Sequence, residues 1–174
     1  MKTTILYFSE TGNTERMAKV VGEGIRKAIP DVELRYMNLK NENDLDIDFI
    51  NECKTVVFGT PTYVANMCWQ LKRFFDERFD CPLGGKLGAV FATANSPHGG
   101  ADVAILGVIN HMLVRGMLAY SSGSERGRPF IHLGPIALMD TYEERTPIFE
   151  LFGERIGEKT LELFGGKNEK TTMG

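Results

Sequence analysis

Six consecutive residues near the start of the chain, Ser9-Glu10-Thr11-Gly12-Asn13-Thr14, bring together three hydroxyls, an amide and a glycine. They stand between an apolar run and a helical one. The first N–H groups of a helix lack intrahelical partners and the helix dipole adds positive potential, so such a junction favours an anion. Hydroxyls add neutral donors, and Gly12 lets the backbone curl close to a ligand. A well-capped helix start with no ligand is the other reading of the same residues. The loop holds no lysine, so the Gly-x-x-x-x-Gly-Lys-Ser/Thr pattern of nucleoside triphosphate hydrolases is not met. Gly157-Glu158-Lys159-Thr160 imitates part of that pattern but lies in a helical stretch and lacks the preceding spaced glycine.

The elements around the loop must position it. Apolar β-rich runs predict strands over 3–8, 32–39, 55–59, 87–92 and 117–120, with 131–138 a late or separate part of the last. Met17, Val20, Val21 and Ile25 recur at helical spacing, so 14–29 reads as a helix that Thr14 can cap and Pro30 ends. Further helices are expected over 47–52, 66–79 and 101–115. A last one has Pro147 in its first turn and runs to about 164. The alternation gives an α/β fold, a three-layer sandwich whose open parallel sheet carries helices on both faces. Strand order 2-1-3-4-5 is one of two common solutions. Residues 1–166 read as one domain and 167–174 as a frayed tail. In such sheets ligands bind beyond the carboxyl ends of the strands, which directs attention to the loops after strands one, three and four.

The second of these loops is Gly59-Thr60-Pro61-Thr62-Tyr63, followed by Asn66-Met67 and Gln70-Leu71-Lys72-Arg73-Phe74-Phe75-Asp76. The third is Asn95-Ser96-Pro97-His98-Gly99-Gly100, with Leu113-Val114-Arg115-Gly116-Met117 downstream. The first loop resembles the FMN phosphate loop of the flavodoxin superfamily. The second and third are similar to segments of the WrbA-type NAD(P)H:quinone oxidoreductases. The resemblance spans most of the chain from strand one to strand five and implies a flavodoxin-like fold with an FMN site. It implies that Ser9, Thr11, Gly12, Asn13 and Thr14 hold the phosphate, with Glu10 beside them in the loop. Thr60, Pro61, Thr62 and Tyr63 would follow the ribityl chain and one flavin edge. Ala94, Asn95, Ser96, His98 and Gly99 would line the other. A flavin needs an aromatic or apolar wall and nearby backbone N–H groups, which these residue types supply.

Tyr63, His98 and Arg115 are the candidates to orient a substrate. Each also has a plainer reading: a packed loop aromatic, an exposed loop imidazole, and a cation at a helix C-terminus. The quinone reductases commonly carry His where Arg115 stands, and a permanent cation there would favour an anionic reduced flavin or substrate. Trp69, on the outer side of its helix, marks either a subunit or substrate contact or a spot half-covered by a loop. Arg126 and Arg128 lie in a loop open to solvent or to an anionic substrate.

The 174 residues are 43% hydrophobic and 25% charged, with net charge −3, as in ordinary globular proteins. No basic stripe points to nucleic acid. No signal peptide or membrane-length apolar run is visible, so a cytoplasmic protein is expected. Cys53, Cys68 and Cys81 have no metal-site spacing and read as buried free thiols; no metal site is expected. The function expected is an FMN-dependent oxidoreductase that takes a hydride from NAD(P)H and reduces a small quinone-like acceptor, in a homodimer or homotetramer. The alternative is a flavodoxin-like electron carrier that docks to redox proteins, with Glu143, Glu144, Glu150, Glu154 and Glu158 as a local acidic cluster.

Overall fold

The computed structural model describes residues 1–166 apart from the side chain of Glu42, so the tail expected over 167–174 lies outside the described residues. Along the chain run β1 (Lys2–Tyr7), α1 (Asn13–Ala28), β2 (Glu33–Asn38), α2 (Ile47–Glu52), β3 (Thr55–Tyr63), β4 (Asn66–Met67) and α3 (Trp69–Glu77). Then follow β5 (Leu87–Ala94), α4 (Ala101–Val114), β6 (Leu118–Ala119), β7 (Ile136–Leu138) and α5 (Tyr142–Phe164). The parallel sheet has the order β2-β1-β3-β5-β6, and β7 continues the last position by pairing with the far end of β5. This is the expected order, with the fifth strand interrupted between β6 and β7.

Alternation along the central strands sorts the core into two layers. Leu6, Val56, Phe58, Val90 and Ala92 face α2, α3 and α4. Ile5, Tyr7, Val57, Ala89 and Phe91 face α1 and α5. Strands β1, β3 and β5 are buried on both faces, which is why they read as continuous apolar runs.

Two local expectations fail. Asn66 and Met67 belong to a hairpin with β3 and not to the helix, which starts at Trp69. Pro147 stands sixth in α5 and not in its first turn. The helix begins earlier because Thr141 can end the preceding turn, exchanging hydrogen bonds between its hydroxyl and the backbone of Leu138.

The long excursion between β6 and β7 is tied down by one buried cation. The Arg155 guanidinium donates to the Ser122 hydroxyl and to the carbonyls of Arg126, Gly127 and Pro129. These acceptors are all neutral, so the charge is satisfied by hydrogen bonding rather than by an ion pair.

Helices α1 and α5 approach backbone to backbone. A Cβ on Gly24 would stand 1.9 Å from the Glu150 carbonyl oxygen, one on Gly153 2.0 Å from that of Val21, and one on Gly157 2.6 Å from Ala28 Cβ. Alanine is favoured over glycine within a helix by about 1 kcal/mol, but overpacking a close contact costs roughly 1–3 kcal/mol or more. Here the obstacle is backbone, which cannot rotate away. Gly153→Ala is therefore expected to lose about 2 kcal/mol of stability in urea denaturation. A neutral or stabilising result would contradict this packing.

Candidate functional site

The carboxyl ends of β1, β3, β5 and β7 open into one cleft of ≈ 650 Å³. Its floor is the first loop: Ser9, Glu10, Thr11, Asn13 and Thr14 all line it. Asn38, at the end of β2, clamps the loop by accepting from the Ser9 N–H (3.1 Å) and donating to the Ser9 carbonyl (3.2 Å). The Thr14 hydroxyl lies 2.9 Å from that of Thr93, tying the start of α1 to β5. Gly12 does not line the cleft; it is the N-cap of α1 at φ +91°, and no side chain caps the helix. Thr14 is thus not the cap expected of it. The first N–H donors of α1 are left without a capping side chain, and the buried Ser9 hydroxyl has no hydrogen-bond partner among the described residues. Unpaired donors gathered around a small space fit a phosphate group.

One wall is the β3–β4 hairpin. Thr62 pairs with Met67 and Tyr63 with Asn66, leaving Val64 and Ala65 as a two-residue turn. Both have left-handed backbones, φ +51° and +55°. Such turns normally use Asn-Gly, and a β-branched residue there is strained. Pro61, Thr62, Tyr63, Val64 and Ala65 line the cleft, and the buried Thr62 hydroxyl is also unpartnered. Thr60 does not line it. Its hydroxyl donates to the Pro61 carbonyl (2.7 Å) and accepts from the Cys68 N–H (3.0 Å), pinning the base of the hairpin. The Tyr63 ring meets Phe8 edge to face at 6.5 Å.

The opposite wall is Ala94, Asn95, Ser96 and Gly99. His98 is exposed and outside the lining; its backbone N–H donates to the Ser96 hydroxyl. A Cβ on Gly100 would meet Ala65 Cβ at 2.6 Å, so this loop and the hairpin tip touch. Thr93, Val64, Ala65, Met139 and Tyr142 complete the lining and are not among the residues expected from the sequence. Thr93 lies one residue past the strand expected over 87–92. Met139 and Tyr142 follow β7, the late part of the fifth strand, whereas the sequence directs attention to the loops after strands one, three and four.

Arg115 is not brought to the cleft. Its guanidinium donates to the carbonyls of Phe75, Arg78 and Cys81, closing the end of α3, and stacks over Phe79. This is the helix-end cation of the two readings, serving a neighbouring helix. Arg126 pairs with Glu158, and Arg128 lies over Phe130. Trp69 remains exposed beside a separate cavity of ≈ 310 Å³ that shares only Glu10 with the cleft.

The cleft is electrically plain. Among its described lining residues the one charged side chain is Glu10, held by Lys40 at 3.0 Å; there is no Lys, Arg or His. Burial raises the pKa of Tyr63, with Cys68 and Glu10 adding to it. Burial also raises that of Tyr142, against the opposing effect of Arg16. Both phenols are therefore neutral near pH 7.

The flavodoxin family model matches residues 5–108. A flavodoxin of Clostridium saccharobutylicum is 44% identical over 164 residues, 94% of this chain and 100% of that one. The chain belongs to the flavodoxin family. Flavodoxins bind FMN, and a cleft with uncapped helix N–H groups, orphan hydroxyls and aromatic sides fits that cofactor. An NAD(P)H dehydrogenase (quinone) of Geotalea daltonii is 30% identical, covering 68% of this chain and 69% of its own. The solved flavodoxin, WrbA-like protein of Agrobacterium tumefaciens superposes with TM-score 0.75 at 22% identity, over 93% of this chain and 98% of its own. That likeness shows the shared fold.

The strained turn of this flavodoxin generates a prediction. A left-handed L-residue costs roughly 1–2 kcal/mol, and glycine offsets part of this by its larger unfolded-state entropy. Val64→Gly is expected to raise stability in urea denaturation by about 1 kcal/mol. Destabilisation would mean that the Val64 side chain makes contacts worth more than the strain.

Proposed function

We propose that the protein is a cytoplasmic electron carrier that holds FMN in the cleft and exchanges electrons with docked redox proteins. The carrying observation is the plainness of the cleft: among its described lining residues the one charged side chain is Glu10, paired with Lys40, and there is no cation for the pyrophosphate of NAD(P)H. The end-to-end match to a flavodoxin supports the same reading. Three buried free thiols suit a reducing compartment.

In this reading the α1 N–H groups and the hydroxyls of Ser9, Thr11 and Thr14 hold the phosphate, and Asn38 keeps their loop in shape. Tyr63 and Tyr142 wall the ring and exclude water. FMN itself supplies the redox chemistry, taking and giving electrons singly or in pairs. The acidic cluster expected to steer docking is partly neutralised: Glu143 pairs with Arg16, Glu150 with Lys27 and Glu158 with Arg126. Docking in this chain then rests on the exposed apolar rim at Tyr63, Val64 and Met139 more than on charge.

The second reading, NAD(P)H-dependent reduction of a quinone-like acceptor, draws on the Geotalea daltonii relative and on the resemblance of the 59–76 and 95–117 segments. The two separate cleanly. With FMN bound under anaerobic conditions, the carrier is expected to stay oxidised for minutes with NADH or NADPH alone, and to be reduced by dithionite. Bleaching within seconds by either nucleotide would replace the carrier reading with the reductase one.

The phosphate assignment is tested apart from turnover. Ser9→Ala removes a buried hydroxyl with no hydrogen-bond partner among the described residues, so the apoprotein should keep or slightly gain stability. FMN affinity, read by fluorescence titration, should fall about tenfold, or 1.4 kcal/mol. A loss of apoprotein stability, or an unchanged affinity, would remove Ser9 from the phosphate site.

A further inference from the structure

Helix α4 is apolar on every side. Ala104, Ile105, Val108 and Met112 face the core, while Val103, Leu106, Leu113 and Val114 lie exposed on the outer face. A helix hydrophobic all round is normally buried all round. The only ionisable side chains on α4 are Asp102, in its first turn, and His111. The latter is half-buried against the Phe75 ring, with Nδ1 2.7 Å from the Gly107 carbonyl. Beyond the C-terminus the stripe continues. Phe79 is 73% exposed and Val114 85%, and both border a groove of ≈ 460 Å³ that also takes in Asn110. Leu118, on the edge strand β6, is exposed as well.

We infer that this face is the interface of a homodimer in which α4 packs against α4 of a second copy about a two-fold axis near Asn110. The exposed parts of Val103, Leu106, Leu113, Val114, Phe79 and Leu118 come to about 600 Å² per protomer, close to the roughly 800 Å² each partner gives to a standard interface. A rim at Asn110, Gly116 and Ala119 supplies more.

Charge and position select a second copy over other occupants. The charges on this face are few and placed so that its own image does not oppose them. Asp102 is at the N-terminal end of α4, about two turns from Asn110. Asp76 in the groove is paired with Lys72, and Arg115 donates to three carbonyls. Asn110 has both a donor and an acceptor and can therefore satisfy its own image. A helix that lies on a membrane surface carries a Lys/Arg border, which α4 lacks. A redox partner must reach the cleft at the carboxyl end of β5. The densest part of the stripe is at the other end, where β6 pairs with Leu87 and Gly88. The dimer thus leaves both clefts open.

Light scattering after gel filtration at about 200 µM, far above a micromolar Kd, is expected to give twice the chain mass. Val114→Glu should halve that mass while circular dichroism and FMN binding stay unchanged. Asn110→Cys should form a disulfide-linked dimer under mild oxidation. Its background is clean, because Cys53, Cys68 and Cys81 are buried. A wild-type monomer at that concentration overturns the proposal. So does a folded Val114→Glu dimer, or an Asn110→Cys protein that stays monomeric when oxidised.

Discussion

The start of α1 is the point on which the rest of the molecule depends. The helix begins after the short loop that follows a buried strand, with glycine as its N-cap and no side-chain hydrogen bond at that cap. Such donors are costly to leave unmet. The surrounding structure holds them unmet and in place. Asn38 fixes the loop from β2, Thr93 fixes the first turn from β5, and the glycine contacts with α5 set the height of the helix above the sheet. Three separate elements therefore converge on an arrangement suited to an anion. The rigidity comes from backbone contact and neutral hydrogen bonds, and in the proposed reading it serves a dianionic phosphate with no cation in the described lining.

That neutrality shapes what the cleft can do. A lysine or arginine at the phosphate would raise affinity for many anions, including pyridine nucleotides. Oriented N–H groups and hydroxyls favour a small phosphate held close to the helix. The two phenols are pushed away from ionisation by burial and contribute shape and polarity, not proton transfer. Local strain sits at the hairpin tip, where Val64 and Ala65 adopt left-handed backbones against Gly100. Strain of this kind persists only where the surroundings over-determine it, and it gathers at sites that handle ligands.

The sheet, its order and the phosphate loop were legible because buried parallel strands and a Ser/Thr/Gly-rich strand–helix junction are strong local signals. The β3–β4 hairpin was not. Val64-Ala65 carries none of the Asn or Gly that mark such a turn, and the apolar spacing of Met67 and Cys68 merged with that of α3. Pro147 reads as a first-turn marker for α5, whereas the helix starts at Tyr142 and holds the proline one turn later. Arg115 is a different kind of error. A helix that follows a parallel strand runs back along the sheet, so its C-terminus lies at the amino ends of the strands. Topology alone thus separates Arg115 from the cleft of its own chain, and only the resemblance had drawn it there.

The same geometry explains why two kinds of contact can coexist on one small domain. In the proposed reading, ligand and redox docking belong to the carboxyl ends of the strands, where polar loops border the apolar rim at Tyr63, Val64 and Met139. The exposed apolar surface of α4 grows toward the amino ends, where Arg115 closes α3 by satisfying its carbonyls and so fixes Phe79 beside Val114. Arg115 therefore acts on the far face by holding it together: its guanidinium donates to three carbonyls and lies over the Phe79 ring. The element joining the two ends is α4. The strained hairpin tip meets its N-cap Gly100 and the charge of Asp102 lies in its first turn, both ~18 Å or more along the helix from Val114. At that separation, with no shared partner, the two contacts should be close to additive in free energy.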